Sequence, residues 1–417
     1  MKRYSEYKDS GVKWIGEIPG HWNAVSLKRV VKLINEKSNE QNIPYIALEN
    51  IESFTGKILP LNEIEPDSIC NKFKKDDVLF CKLRPYLTKC VSPSFDGKCT
   101  SELLVLRNFN GVANYLKYTL LSPRLVMDIN ASTYGAKMPR ANWNYIGLCR
   151  VPLPPLPEQE AIVTYLDTKV AKIDEYISIA EKKIAALEEL KQTIIAEAVT
   201  RGIHKDVPMK DSGVKWIGMI PEHWDLKRTA MLFSENRKKN INYEFDHALK
   251  FNYGKLVSKN EIGDVSSLKE TYMAYTVINK NDIAINCLNL NYDFVSQRVA
   301  ISPQKGIITS AYLIITPRQG VEAMYYNYLF KAMDSKKLFH GMGTGIRLTL
   351  SFSELKKQQI PVPPLPEQQE IVTYLDSKVA NINQLCQTER AQIEKLKEYK
   401  QRLISDVVTG KVKVMND

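Results

Sequence analysis

One short segment of the sequence combines basic and aromatic side chains at close spacing. The run CKLRPYLTK at 81–89 contains Lys82, Arg84, Tyr86 and Lys89. Their alternation predicts one face of a β-strand. Lysine and arginine bind phosphate groups, and arginine also pairs bidentately with guanine. The segment is therefore a candidate nucleic-acid contact, and a solvated edge strand with surface lysines is the alternative.

Two glycine-containing segments place a basic side chain shortly before a proline-rich stretch. GAKMPR at 135–140 contains Lys137 and Arg140, and GTGIR at 343–347 contains Arg347. Glycine favours loops, which can bring a cation close to a ligand. Because the two segments occupy matched places along the chain, contact with a nucleic acid is favoured over ordinary surface charge.

Asparagine and a further basic cluster distinguish the second half of the chain. The segment NCLNLNYDF at 286–294 supplies Asn286, Asn289 and Asn291. Asparagine pairs bidentately with adenine, but it is also common in loops, and both roles stay open. The basic cluster consists of Arg237, Lys238 and Lys239. Its charge suits contact with backbone phosphate.

The sequence lacks the motifs that nucleotide hydrolysis or amino-group methylation would need. It contains no phosphate-binding P-loop and no amino-methyltransferase tetrapeptide. DTK at 167–169 and DSK at 376–378 match half of a nuclease-type pattern, but their place in helical stretches predicts solvated charge. His21 and His223 each precede a tryptophan, which indicates packing rather than acid–base catalysis. The chain is therefore predicted not to be an enzyme.

The elements that must position these residues are written twice in the sequence. KDSGVKWIGEIPGHW at 8–22 returns at 210–224 with 13 of 15 positions identical. PPLPEQEAIVTYLDTKV at 154–170 returns at 363–379 with 14 of 17 positions identical. The segments between these repeats differ strongly. The sequence therefore predicts two tandem halves with nearly identical ends. Their middle segments are predicted to share one fold and to carry two different surfaces.

Each PPLPEQ repeat leads into a long helical pattern with an apolar seam. Its apolar positions alternate at spacings of four and three, which is a heptad repeat that Lys191 and Lys400 interrupt at equivalent places. The seam comprises Leu166, Val170, Ile173, Ile177, Ile184, Leu187, Leu375, Val379, Ile382, Ile393, Leu396 and Leu403. A narrow stripe on a helix of about 40 residues needs a partner helix. The other copy predicts an antiparallel coiled coil, and separate hairpins or intermolecular pairing are the alternatives.

The net charge of +11 is concentrated in two segments. Residues 1–150 carry 22 basic and 15 acidic side chains, and residues 208–359 carry 21 and 14. Residues 151–207 carry 7 and 10, and residues 360–417 carry 8 and 8. Two basic regions on a neutral helical spacer indicate a bipartite ligand of fixed spacing. Duplex DNA fits this layout because half-sites along it lie at a set separation.

The composition is that of an ordinary folded protein. Hydrophobic residues make up 44% of the chain and charged residues 25%, which excludes disordered and fibrous classes. No apolar run approaches the roughly 18 residues of a membrane helix, and no secretory signal is visible, so a cytoplasmic protein is predicted. The seven cysteines include no CxxC pair, which predicts reduced thiols and no metal site.

The doubled motifs, together with MPRANW at 138–143, closely resemble the DNA-specificity subunit of type I restriction-modification enzymes. The resemblance covers essentially the whole chain. It implies an α/β (α+β) fold in which two target-recognition domains are joined by two long helices packed as an antiparallel coiled coil. The second half departs from the pattern, because GTGIRLTLSFSEL at 343–355 stands where MPRANW would be expected. A role of MPR therefore cannot be transferred to the second half.

The domain boundaries follow from the repeats and the charge. We predict a first recognition domain at 1–150, a central helical spacer at 151–207, a second recognition domain at 208–359 and a C-terminal helical spacer at 360–417. Short strands are predicted at VLFCKL, ELLVL, DIAIN and YLIIT.

The resemblance also implies the function and the partners. Each recognition domain would read one half of a split, asymmetric site in double-stranded DNA. The chain itself would hold no cofactor and would recruit two methylation subunits that use S-adenosylmethionine. It would also recruit restriction subunits that translocate and cleave DNA with ATP and Mg. The competing hypothesis is a coiled-coil scaffold for protein partners that binds nucleic acid only incidentally.

Overall fold

The computed structural model describes residues 3–61, 69–259, 265–343, 345 and 348–415. These residues form two compact units. The first unit falls within 1–181 and 389–417, and the second unit within 182–388. Arg347, one of the predicted site residues, lies outside the described residues.

The first unit combines short sheets with helices. Its elements are β1 (Tyr7–Asp9), β2 (Glu17–Pro19), β3 (Asn23–Ser26), α1 (Leu27–Val30), β4 (Lys32–Ile34), β5 (Lys37–Ser38), β6 (Tyr45–Ile46), β7 (Cys70–Phe73), β8 (Val78–Cys81), β9 (Cys90–Val91), β10 (Gly97–Cys99), β11 (Leu103–Arg107), α2 (Ala113–Leu120), α3 (Pro123–Ala131), α4 (Trp143–Ile146), β12 (Arg150–Leu153) and the start of α5 (Leu156–Arg201). One sheet has the antiparallel order β4-β11-β8-β9, and another has the order β5-β7-β10-β6. Every residue of β8 is buried, as expected for a continuous apolar run inside a sheet.

The second unit repeats the same plan. Its elements are β13 (Met209–Asp211), β14 (Met219–Pro221), β15 (Asp225–Arg228), α6 (Thr229–Leu232), β16 (Phe233–Glu235), β17 (Leu249–Asn252), β18 (Lys255–Ser258), α7 (Val265–Met273), β19 (Thr276–Ile278), β20 (Ile283–Ile285), β21 (Val299–Ile301), β22 (Gly306–Ile308), β23 (Leu313–Pro317), α8 (Ala323–Ser335), α9 (Phe352–Leu355), β24 (Gln359–Val362) and the start of α10 (Leu365–Val408). Its main sheet has the antiparallel order β16-β23-β20-β21.

The two main sheets show that the divergent middles share one fold. Strand for strand, β16-β23-β20-β21 corresponds to β4-β11-β8-β9. All four strands predicted from the sequence lie in these sheets and are confirmed. The pairs β1-β2 and β3-β12 also recur, as β13-β14 and β15-β24. The sheet β5-β7-β10-β6 does not recur, since β17-β18 and β19-β22 form separate pairs in the second unit. The sequence divergence therefore changes the periphery more than the central sheet.

The long helices span 46 and 44 residues, and each contributes to both units. In the first unit, Asp174 of α5 binds Lys400 of α10. In the second unit, Lys191 of α5 binds Asn383 of α10. A later position on α5 thus meets an earlier position on α10, so the predicted antiparallel pairing is confirmed.

The predicted seam lies along the inside of this helix pair. Its buried members are Leu166, Val170, Ile173, Ile177, Leu375, Ile382, Ile393 and Leu403. Its half-buried members are Ile184, Leu187, Val379 and Leu396. Burial of such side chains stabilises the pair by about 1.5–3 kcal/mol each at full burial.

Among the described residues, none of the helices has the length and apolarity needed to cross a bilayer. All seven cysteines lie in the described part of the chain and are buried. Burial raises the pKa of the Cys81 thiol to about 11 and that of Cys287 to about 12. These thiols are therefore protonated and unreactive at neutral pH.

Candidate nucleic-acid interface

The two repeated motifs contact each other at the start of each long helix. In the first unit, Glu158 in the first turn of α5 accepts a hydrogen bond from Trp22 Nε1 at 3.0 Å and also contacts His21. The second unit repeats this arrangement with Glu367, Trp224 and His223. The helix dipole further stabilises a carboxylate in this position. The two histidine side chains are 50% and 46% exposed, and their packing role stays a prediction. The bonds between the motifs fix where each helix leaves its domain.

A helix also ends against each opening motif. Gly410 follows α10 in the first unit, and Gly202 follows α5 in the second. Both have positive φ angles, of +74° and +75°, as expected for a glycine that terminates a helix. A Cβ at Gly410 would lie 2.7 Å from Pro19 Cγ and 3.0 Å from Trp22 Cζ3. The end of one helix and the start of the other are thereby held on the same motif in each unit.

The aspartates of the two D-x-K patterns have a docking role. Asp167 accepts a hydrogen bond from Tyr118 Oη at 2.5 Å, and Asp376 accepts one from Tyr328 Oη at 2.6 Å. Both aspartates stay exposed, as predicted. Burial, together with the bonded carboxylate, raises the pKa of both tyrosines above the ordinary value. These bonds hold α2 and α8 on the long helices.

Two segments of unrelated sequence occupy the same place in the two units. CKLRPYLTK connects β8 to β9, and NCLNLNYDF leads out of β20 toward β21. In the first unit the backbone N–H of Ala141 donates to Lys82 O at 2.9 Å, and in the second that of Leu350 donates to Cys287 O at 3.3 Å. In each unit, the loop before the last strand therefore contacts the segment that follows β8 or β20. We call residues 82–89 with 134–141 the first loop pair, and residues 286–298 with the described part of 341–350 the second loop pair.

In the first loop pair, the predicted strand is wrong. Strand β8 ends at Cys81, and Pro85–Leu87 form a 3-10 helix. Arg84 has a φ of +47°, its backbone N–H donates to Pro139 O at 2.7 Å, and its Nη2 lies 3.4 Å from Lys137 O. Pro85 and the contact of Arg84 with the 134–141 segment turn the chain away from the sheet. Arg84 and exposed Lys137, predicted separately, thus lie on one surface.

The other predicted residues of this surface have different surroundings. The Arg140 guanidinium binds Glu102 through Nε and Nη2, with a shortest distance of 2.9 Å. Lys89 Nζ donates to Leu48 O at 2.6 Å, which ties it to the fold. Lys82 is half-buried, and Tyr86 is exposed. Arg84 and Lys82 are both half-buried and Lys137 is exposed, and these three side chains supply cationic charge at this surface.

In the second loop pair, the asparagines shape the loop. Asn286 Oδ1 accepts from the backbone N–H of Leu288 at 3.2 Å, and Asn289 has a φ of +54°. Asn291 is half-buried. These features correspond to the loop-forming alternative for Asn286 and Asn289.

The cluster of Arg237, Lys238 and Lys239 leaves the main sheet of the second unit at the same end as residues 286–298. Strands β16 and β20 both run antiparallel to β23, so the segments that follow them leave the sheet together. Arg237 Nε lies 2.8 Å from Glu235 Oε1, and Lys238 Nζ lies 4.0 Å from Glu244. Lys239 Nζ donates to Ala274 O at 3.2 Å and to the Ser310 hydroxyl. The first two side chains are largely exposed, whereas Lys239 also anchors its own loop.

Within the described part of the chain, no group of three or more His, Cys, Asp or Glu side chains is placed to hold a metal ion. The described surfaces thus offer cations, amides and aromatic rings, which are groups for binding a polyanion and its bases.

Comparison with known proteins agrees with a nucleic-acid interface on these two units. Residues 221–395 match the family model for the type I restriction modification DNA specificity domain. The chain is 24% identical to the protein named as the MjaX type I restriction enzyme specificity subunit of Methanocaldococcus jannaschii, over 98% of each chain. It is 26% identical to the MjaVIII specificity subunit of the same organism, over 77% of this chain and 75% of the relative. The second half of the chain thus matches this specificity domain, and the whole chain resembles type I restriction enzyme specificity subunits.

Solved structures show the same fold. A chain from a study of complex assembly and conformational transition of the type I restriction-modification system superposes with a TM-score of 0.71, at 18% identity over 95% of this chain and 99% of that chain. The HsdS subunit from Thermoanaerobacter tengcongensis superposes with a TM-score of 0.52, at 19% identity over 95% and 98%. The resemblance predicted from the sequence is confirmed.

Two features of the structure could not be predicted from the sequence. Arg298 is fully buried beneath the second loop pair, and nothing in its local sequence distinguishes it from a surface arginine. Lys400 is buried against Asp174, and Lys191 contacts Asn383 at the equivalent place. The interruption of the heptad by these two lysines was the visible signal for the second feature.

Proposed function

We propose that this chain reads a bipartite DNA target, with one half contacted by each loop pair. The observation that carries the proposal is the placement of the two segments. Loops of unrelated sequence lie at the same position in two copies of one fold, whereas the motifs around them are nearly identical. Such an arrangement keeps the presentation of the loops constant and varies what they contact. Two different half-sites follow from two different loop pairs.

The electrostatics support DNA as the ligand. The positive surplus lies in the segments that contain the loop pairs, with 22 basic against 15 acidic residues in 1–150 and 21 against 14 in 208–359. The cations around the loops include exposed Lys137, Arg237 and Lys238 and half-buried Arg84. Arg140, bound by Glu102, is held in one orientation, which suits a side chain that reads a base edge.

The paired helices supply the surface for protein partners. Exposed apolar side chains on α5 and α10 include Tyr176, Ile179, Leu190, Leu385 and Tyr399. Apolar side chains on the outside of a helix pair are suited to burial by another subunit. We propose that two methylation subunits bind here, because the helical repeat is present twice, and that restriction subunits join them. S-adenosylmethionine, ATP and Mg would be bound by those subunits.

Exchange of one middle tests the bipartite proposal. Residues 23–150 are replaced by the corresponding segment of a related specificity subunit, and the chain is expressed with its methylation subunit. Methylome sequencing is expected to show one half of the target changed and the other half intact. A change in both halves would contradict separate reading by the two units. If purified complexes show no preferred duplex and a flat salt response, the scaffold alternative is favoured.

Removal of two cations of the first loop pair is expected to weaken binding to target and non-target DNA sequences alike. In the double variant Arg84→Ala/Lys137→Ala, the slope of log Kd against log salt should fall by about two, because two phosphate contacts are lost. The measurement is fluorescence anisotropy of target duplex bound to the complex of chain and methylation subunits. Lys172→Ala, an exposed lysine on α5, is the matched control and should leave the slope unchanged. Equal slopes for the double variant and the wild type would remove Arg84 and Lys137 from the interface.

A further inference from the structure

The loop between β20 and β21 carries an exposed apolar tip. Tyr292 is 80% exposed, Phe294 54% and Val295 92%. Isolated apolar side chains are normal on a protein surface, but three within four positions at one loop tip form a patch suited to contact with another molecule. The corresponding connection in the first unit is a 3-10 turn with Arg84 and Tyr86. The tip is therefore specific to the second unit.

The tip is braced from below by a buried arginine. The side chain of Arg298 is fully buried, and its guanidinium donates to Leu288 O at 2.7 Å and to Asp293 O at 2.6 Å. It also donates to Asn286 O at 3.1 Å. A guanidinium that binds several carbonyl oxygens of one loop fixes the path of that loop. The tip is consequently held in one conformation before any partner arrives.

The charged side chains of the loop have partners within the loop. Between residues 286 and 298, the only charged side chains are those of Asp293 and Arg298. The Asp293 carboxylate accepts from the backbone N–H groups of Val295 and Ser296 and lies 3.4 Å from Arg298 Nη2. The bonds from Ser296 lower the pKa of Asp293 to about 2, so the carboxylate stays ionised and engaged. The largely exposed side chains of the tip, Tyr292, Phe294 and Val295, are uncharged.

The sides of the tip are supported as well. The Phe294 ring stacks on His340, with centroids 4.7 Å apart and planes 18° from parallel. His340 Nε2 donates to Asp293 O at 3.2 Å. Phe294 is thus held at the wall of the loop, and Tyr292 and Val295 project beyond it.

We propose that Tyr292 and Val295 form a wedge that inserts between two neighbouring base pairs and unstacks them. This inference rests on the proposed DNA-reading function. Apolar side chains inserted at a base step kink the duplex, and pyrimidine–purine steps open most easily. DNA is favoured over a protein partner because the tip belongs to the second loop pair and lies at the end of the sheet where the Arg237–Lys239 cluster also emerges. A braced tip suits this role because the loop must not yield when the stacked bases resist.

The test uses the full chain assembled with its methylation subunits. The probe is a duplex of the target identified by methylome sequencing, with 2-aminopurine placed at successive positions of the half-site read by the second unit, excluding the methylated base. Binding of the wild type should raise fluorescence at one base step. In Tyr292→Ala/Val295→Ser this rise should disappear, and affinity should fall about 10- to 100-fold, as expected for lost stacking. Met231→Ala removes a side chain of the same unit that is 61% exposed on α6, and it should change neither quantity.

Three other results would overturn the inference in distinguishable ways. Tight binding of the wild type without a fluorescence rise at any position would exclude the wedge and leave the proposed function standing. Failure of the wild-type complex to prefer the target duplex would exclude the proposed function itself. Loss of assembly with the methylation subunits in the double variant, seen by size-exclusion chromatography, would identify the tip as a protein-docking surface.

Discussion

Replacement of Asp174 by alanine is expected to lower the free energy of unfolding by about 3–5 kcal/mol. Asp174 accepts a hydrogen bond from Lys400 Nζ at 2.7 Å, and the Lys400 side chain is only 5% exposed. Lys57 binds the same carboxylate at 2.7 Å from the side of the first recognition domain. Without Asp174, the Lys400 ammonium would remain in the helix seam with no counter-charge. Urea unfolding of the full chain, followed by circular dichroism, measures the loss.

The second unit provides the matched control for this prediction. Asn383 is the counterpart of Asp174, and its partner Lys191 also pairs with Glu188. Asn383→Ala should therefore cost about 1 kcal/mol, the value of an ordinary hydrogen bond. Equal losses for the two variants would show that charge burial in the seam is not the dominant effect.

The dependence on pH gives an independent check of the same pair. Burial alone would raise the pKa of Asp174, but the bonds from Lys400 and Lys57 outweigh it and lower the pKa below the ordinary value. The ion pair therefore stabilises the folded chain fully above about pH 4, the unfolded value for aspartate. This stabilisation is lost as the pH falls through the lowered folded-state pKa. The difference in stability between wild type and Asp174→Asn should accordingly shrink in strong acid.

Replacement of Gly410 by alanine is expected to destabilise the first unit by about 3 kcal/mol, from left-handed backbone strain and overpacking together. The new Cβ would lie 2.7 Å from Pro19 Cγ and 3.0 Å from Trp22 Cζ3. Trp22 is fully buried and bonded to Glu158, so its ring has no room to move aside. Differential scanning calorimetry of the full chain should show the first unfolding transition at a lower temperature.

Gly213 separates steric clash from backbone strain. Its φ is +66°, and a Cβ there would meet nothing within 4 Å. Gly213→Ala should therefore cost only about 1–2 kcal/mol, the strain of the left-handed conformation. If Gly410→Ala proved no worse than Gly213→Ala, the helix end would not be seated tightly on the opening motif.

The loop pairs illustrate how far local sequence could predict the interface. Each segment was recognised from its composition, because cations, amides and glycine near a chain turn are visible in a few residues. Their meeting was not visible, since Lys82 and Ala141, or Cys287 and Leu350, lie about 60 residues apart and come together only through the order of strands in the sheet. The strand expected at 82–89 failed for a related reason. Pro85 and the contact of Arg84 with Pro139 outweigh the alternation that favours a strand.

The partners of charged residues were also beyond local prediction. Arg140 has the same local signature as a free phosphate-binding arginine, but Glu102 from a distant turn binds it. Lys400 is visible in the sequence as an interruption of the apolar seam. Asp174, the partner that binds it, lies 226 positions away. Ion pairs of this kind depend on packing, which brings the side chains together after the elements have formed.

The sequence by itself determined the doubled plan of this protein, the heptad helices, the central strands and the resemblance to specificity subunits. Each of these follows from repetition or periodicity, which local residues encode directly through helix and strand geometry. Only the tertiary structure decided which cations remain available at the surface, which loops share a site and which arginine braces the apolar tip. The physical reason is that desolvation and hydrogen bonding act through space. A side chain's chemistry is therefore set by neighbours that the chain order does not reveal.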